Sequence, residues 1–167
     1  MPSLYVVTIP AFIRAFKNLD HFLAKASASG IAEADLTGAR LIGDMLPLTK
    51  QVQIASDTAR FVAVRVGQAA PTAMADDETT IPELRERVAR TIAYLEDADP
   101  AGFENRESSE VILKLPNTEM TFTGLSYVTD FALPNFYFHI TMAYALLRMK
   151  GVELGKKDFL AGADQLG

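Results

Sequence analysis

Two histidines, His21 and His139, are the first candidates for acid–base or metal chemistry in a chain that has no cysteine. His139 lies in the run ALPNFYFHITMAYALLRMK. At 100° per residue, Val128, Ala132, Asn135, Phe136, His139, Met142, Ala143 and Leu146 share one helix face. His139 is therefore central to an apolar stripe, with Asn135 one turn before it. Gln51 and Thr58, seven residues apart, fall at the edge of the inward stripe of an earlier helix. If the two helices face each other, Gln51, Thr58, Asn135 and His139 line one polar spot, with Phe136 and Met142 as its apolar lining. A buried imidazole can exchange a proton near neutral pH, and bundle interiors are common ligand sites. Three readings of His139 stay open: a core histidine satisfied by hydrogen bonds, the heart of a small-molecule pocket, or a metal ligand. The last needs three or more ligands in reach, and the residue one turn on, Ala143, cannot ligate.

The other chemistry-bearing residues carry less. His21 sits beside Asp20 at the border of an apolar stripe and reads as a surface or boundary residue. Gln53 and Asp57 fall opposite the apolar stripe of their helix and read as solvated, as does the acidic run Asp76-Asp77-Glu78. Tyr137, Thr141, Tyr144 and Arg148 form a second face that meets either a partner subunit or a neighbouring hairpin. Gly155-Lys156-Lys157 follows no glycine-rich loop, so it predicts no nucleotide site. No spacing resembles a Ser-His-Asp arrangement.

These residues need elements to hold them. Phe12, Ala15, Phe16, Leu19, Phe22, Leu23 and Ala26 form the stripe of a first helix ending near Ser29-Gly30, followed by a short turn over 31–36. A second helix starts near Leu46-Pro47 and buries Leu48, Val52, Ala55, Ala59, Val62 and Val66. Thr80 caps a third, with Leu84, Val88, Ile92 and Leu95 inward and Asp99-Pro100 as its stop. The period then changes to two at Val111, Leu113 and Leu115. Pro116-Asn117-Thr118 turns the chain and Met120-Thr121-Phe122 returns, which predicts a small β-hairpin. The fourth helix begins after Thr123-Gly124 and runs to about Lys150, with a kink or break at Pro134 and a stop at Gly151. Phe159 and Leu160 pack back on the helices.

At 167 residues the chain predicts one domain over 1–167. Its formal charge of −5 disfavours nucleic acid as a partner. The absence of cysteine excludes disulfides, zinc–thiolate sites and a thiol nucleophile. No apolar run approaches the roughly 20 residues that span a bilayer, and the N-terminus has no secretory pattern. The expectation is a cytoplasmic protein without a membrane partner.

Three stretches carry a family resemblance: LYVVTIPAFIRAFKNL near the start, DMLPLTKQVQIASD at 44–57, and FTGLSYVTDFALPNFYFHITMAYALLRMKGVELGKKDFLAG at 122–162. Together they resemble the domain-of-unknown-function 1993 family, which is similar to the DinB-like superfamily. The resemblance implies an all-α, antiparallel four-helix bundle with one long crossover, often a homodimer. It also implies a divalent metal held by three histidines, one on the second helix and two a turn apart on the fourth; some relatives are thiol-dependent transferases or isomerases. Carried over, His139 matches one histidine of the fourth-helix pair, Ala143 stands at the other, and Gln51 falls at the second-helix position. One ligand of three remains, so no metal or other cofactor is expected.

The functional expectation is a small apolar or aromatic molecule bound in the bundle core, with Gln51, Thr58, Asn135, Phe136 and Met142 as its contacts. His139 is the candidate catalytic residue, as in a metal-independent isomerase or cyclase. The alternatives are a non-catalytic dimeric binding or scaffolding protein, and a divalent-metal enzyme with a degenerate ligand set.

Overall fold

The computed structural model describes residues 3–161. The single domain expected over 1–167 therefore includes positions, 1–2 and 162–167, outside the described residues. The chain is mostly helical with one small antiparallel hairpin, in the order α1 (Leu4–Ala28), α2 (Glu33–Thr37), α3 (Leu48–Arg65), α4 (Ile81–Glu96), β1 (Glu110–Leu115), β2 (Thr118–Thr123), α5 (Gly124–Ser126), α6 (Leu133–Met149) and α7 (Lys156–Ala161). The long helix α1 packs on α4 and α6, and α3 packs on α6 and α4. Thus α3 has protein on two sides, which decides where its polar residues end up.

Local chemistry sets the boundaries. The Ser3 hydroxyl accepts from the Val6 N–H and starts α1. The helix begins ahead of the Phe12 stripe and runs through Pro10, which cannot give the Val6 carbonyl its usual i+4 hydrogen bond. At α4, Thr80 and Glu83 form a reciprocal capping box, with Pro82 in the first turn. Gly151 adopts φ +98° just past α6, a conformation that strains any side chain.

The break predicted at Pro134 falls just before it. Thr123 caps the short turn α5, and Tyr127–Ala132 then form wider π-helical turns that lead into α6 with Pro134 in its first turn. A π stretch ahead of proline absorbs the hydrogen bond that proline cannot donate. Gly67 marks another close approach. A Cβ there would stand 2.2 Å from the Phe103 ring, so the end of α3 and the 3-10 turn Pro100–Phe103 meet where only glycine fits.

Aromatic side chains dominate the core. Phe136 of α6 lies with its ring centroid 4.4 Å from Phe12 and 5.3 Å from Phe16. Phe159 of α7 stacks on Phe22 and meets Tyr144 edge-on. Burying such a ring contributes about 2–3 kcal/mol, so these contacts fix α1, α6 and α7 together. The hairpin pairs Val111 with Phe122 and Leu113 with Met120. Val111 and Leu113 are buried, whereas Leu115 at the tip is exposed.

Candidate functional site

Position, burial and hydrogen bonding set the chemistry of the α3–α6 seam. Gln51 lies in the first turns of α3 and His139 in the middle of α6; both are buried, His139 to 7% of its accessible surface. The His139 Nδ1 to Gln51 Oε1 distance is 2.7 Å, and Gln51 Nε2 donates to the Leu46 carbonyl at 2.9 Å. That second bond fixes the first. The amide nitrogen must face a carbonyl, so the amide oxygen faces the ring and Nδ1 must carry the proton. Nε2 is then the unprotonated nitrogen and an acceptor. It has no hydrogen-bond partner among the described residues.

Two turns along α3 and one turn back along α6, a second chain repeats this logic. The Thr58 hydroxyl donates to the Ile54 carbonyl at 2.7 Å, which leaves its lone pairs for Asn135 Nδ2 at 2.8 Å. The Asn135 carbonyl oxygen is left over as an acceptor. The structure thus joins Gln51 to His139 and Thr58 to Asn135, on facing helices of opposite direction.

Burial pushes the His139 imidazole down to about 4, so it is neutral at pH 7. Its neighbourhood is apolar. Phe138 stands edge-on to the imidazole at 5.1 Å and is 52% exposed, and Leu46 is 44% exposed. Phe136 turns the other way, into the Phe12–Phe16 cluster against α1, and Met142 is buried in the same core. Surface clefts lie elsewhere, among them one of about 520 Å³ between α1 and α4 beside Asp20 and Arg85, and one of about 540 Å³ beside Gln68 and Tyr94.

The donor set does not fit the three-histidine metal site that the DinB-like resemblance implies. Gln51 spends both ends of its amide on His139 and Leu46, and Ala143 offers no ligand. Among the described residues no group of three His, Cys, Asp or Glu side chains is placed to hold a metal ion. Asp57, the nearest carboxylate along α3, lies on a different side of that helix, bound to arginines.

That other side is a second polar centre, which the sequence reading placed in solvent. Arg87 of α4 is fully buried. Its guanidinium reaches Glu78 at 3.1 and 3.2 Å, Asp57 at 2.9 Å, Asp76 at 3.0 Å and the Ala75 carbonyl at 2.9 Å. Gln53 is buried rather than solvated and donates to Glu78 at 2.8 Å. Arg60 binds Asp57 and the Thr72 carbonyl. Glu78, read as part of a solvated linker, is 6% exposed. Burial raises the Asp57 pKa, against the pull of Arg87 and Arg60. A signal for this centre exists in the sequence. Arg87 falls between Leu84, Val88 and Thr91 on the inward stripe of α4, and Gln53, Asp57 and Arg60 recur at helical spacing on α3.

His21 has a structural partner: its Nε2 lies 2.8 Å from Asp158, which Lys25 also contacts at 3.1 Å. Asp158 also accepts from the Gly155 N–H and caps α7. Burial raises the Asp158 pKa, but the Gly155, His21 and Lys25 hydrogen bonds outweigh it and bring it down to about 2. Tyr144 and Arg148 engage their own C-terminal segment, through Phe159 and the Leu154 carbonyl. The GVELGKKDFL ending is therefore a clasp that holds α7 to α1 and α6.

Known proteins place this architecture. A crystal structure of a DinB family member protein from Shewanella denitrificans is similar, with TM-score 0.81 and 38% sequence identity over 95% of this chain and 92% of that one. No curated protein matches the chain. Residues 4–160 match the family described as a domain of unknown function, DUF1993. Two-strand hairpin and helical body alike, this chain belongs to the DUF1993 family and has a DinB-like fold.

Proposed function

We propose that this protein, built on an antiparallel four-helix core, binds a small apolar or aromatic molecule at the α3–α6 seam without a metal. His139 is the residue that touches the ligand, and Gln51 is a positioning residue that fixes the imidazole. The observation that carries this reading is the 2.7 Å Nδ1 contact to Gln51, which leaves Nε2 as an unpartnered acceptor in a buried side chain. Nε2 is not among the fully enclosed unpartnered atoms, so it stays open to a hydrogen bond from a ligand. Half-exposed Phe138 stands edge-on to the imidazole and suits an apolar ligand. An imidazole held near a pKa of 4 is a weak base at pH 7, which favours recognition over fast proton abstraction. A carrier or sensor therefore fits better than an isomerase or cyclase.

A thermal-shift series on the native protein and on His139→Ala tests the reading, each with chelator, with divalent metals, and with a panel of aromatic and aliphatic molecules. The expected result is a midpoint raised by an aromatic compound in the native protein alone, rising with the logarithm of its concentration, and no response to metal or chelator. A metal-dependent shift that His139→Ala removes, or no response to any compound, overturns it.

Homodimerisation is proposed beside this. Leu41, Ile42 and Phe138 are each more than half exposed, and apolar side chains so placed favour association. Sedimentation at micromolar concentration reads it directly, and a monomer there ends the idea.

A further inference from the structure

The two hydrogen-bonded chains on the seam run the same way, and their common direction selects the ligand. In the first, His139 Nδ1–H donates to Gln51 and Gln51 Nε2–H donates to the Leu46 carbonyl. In the second, Asn135 Nδ2–H donates to Thr58 and the Thr58 hydroxyl donates to the Ile54 carbonyl. Each ends on a backbone carbonyl, a group that can only accept. The hydrogens used in these bonds thereby run from α6 to α3 and end on its side of the seam. The acceptors left over at the α6 end are His139 Nε2 and Asn135 Oδ1, on residues one helical turn apart on one face. Linked hydrogen bonds polarise one another, which makes these terminal acceptors stronger than isolated ones. Asn135 keeps one unused N–H, so its end can also donate, whereas neutral His139 Nε2 can only accept. Neither chain contains a cationic group.

Resting on the ligand site proposed above, we infer that the ligand is a neutral aromatic molecule with two O–H or N–H donors, one for His139 Nε2 and one for Asn135 Oδ1. A phenolic diol is the simplest such molecule. A carboxylate brings lone pairs against lone pairs with no cation to offset them, and an ether has no hydrogen to give.

Three probes separate the possibilities: resorcinol, its dimethyl ether and benzoate, titrated into the native protein and read by the ¹⁵N shifts of the His139 ring. In the free protein Nδ1 is expected protonated and Nε2 bare. Resorcinol is expected to move the Nε2 resonance and to bind at least tenfold more tightly than its dimethyl ether, with benzoate weakest. Asn135→Ala is expected to weaken resorcinol about five- to tenfold, the loss of one neutral hydrogen bond. Tighter binding of the ether or of benzoate at His139 overturns the donor inference while the ligand site stands. A protonated Nε2 in the free protein overturns the inference directly and needs no variant to fold. No binding by any of the three, or by the wider panel, removes the site itself.

Discussion

Helix α3 carries two polar faces that differ in kind. Toward α6 it offers Gln51 and Thr58, which make neutral hydrogen bonds to His139 and Asn135. Toward α4 and the segment 72–78 it offers Gln53, Asp57 and Arg60, in a network centred on buried Arg87. The neutral face ends in unused acceptors at His139 and Asn135. The ionic face ends in fully enclosed atoms without a partner, Gln53 Oε1, Arg60 Nε and Arg87 Nε. Open acceptors beside half-exposed apolar residues suit a ligand. Enclosed charges matched by three carboxylates suit a fixed architecture that ties the 72–78 segment across α3 and α4.

Breaking the ionic face is expected to have the largest effect. Arg87→Met leaves Glu78 buried without the Arg87 guanidinium, while Asp57 and Asp76 keep only Arg60 and Lys50, and removing one partner of a buried ion pair costs about 3–5 kcal/mol. Urea unfolding measures it. A loss below about 1 kcal/mol would show that the acidic segment simply swings into water, and the contrast between the two faces would collapse.

The neutral face should reveal itself through pH. His139 has a folded pKa near 4 against 6.5 for the free side chain, so the native state resists the proton that the unfolded chain accepts. The stabilisation is complete above about pH 6.5 and is lost as pH falls from there through about 4. The expected loss is about 2 kcal/mol, after allowing for solvent screening. His139→Gln should flatten that part of the pH–stability curve relative to the native protein, and equal slopes in the two would refute the buried neutral imidazole.

Gln51→Leu strands the Nδ1–H and the Leu46 carbonyl, with an expected cost of about 1–2 kcal/mol. It should also release the ring to exchange tautomers, visible in the same ¹⁵N shifts; an unchanged tautomer would deny Gln51 its positioning role. The smallest effect is expected at the partly exposed Arg85–Asp20 pair between α4 and α1, despite its 2.7 and 3.1 Å contacts. Asp20→Asn should change stability by no more than about 0.5 kcal/mol, since water screens such pairs. A larger change would place charge, rather than burial, at the root of the difference between the faces.

The sequence made these two faces unequally readable. Periodicity places Gln51 and Thr58 at an inward edge and Asn135 and His139 within an inward stripe, and spacings of seven and four let antiparallel helices pair them. Gln53, Asp57 and Glu78 were read as solvated because charged and amide side chains are exposed by default. Their burial depends on a segment closing over them, and closure of that kind joins residues far apart in the chain: Gln53 meets Glu78 across 25 positions.

By itself the sequence determined the helical periodicity, the Thr80 cap, the hairpin at 110–123, the stop at Gly151 and the family resemblance of its quoted stretches, because each rests on the local chemistry of neighbouring residues. Tertiary structure decided that α3 would be covered on two sides, that Glu78 would be buried against Arg87, and that Asp158 would clasp His21 and Lys25. It also decided the direction of each hydrogen bond on the seam. A residue type supplies a donor and an acceptor together, and only the partner across the fold settles which of them is used.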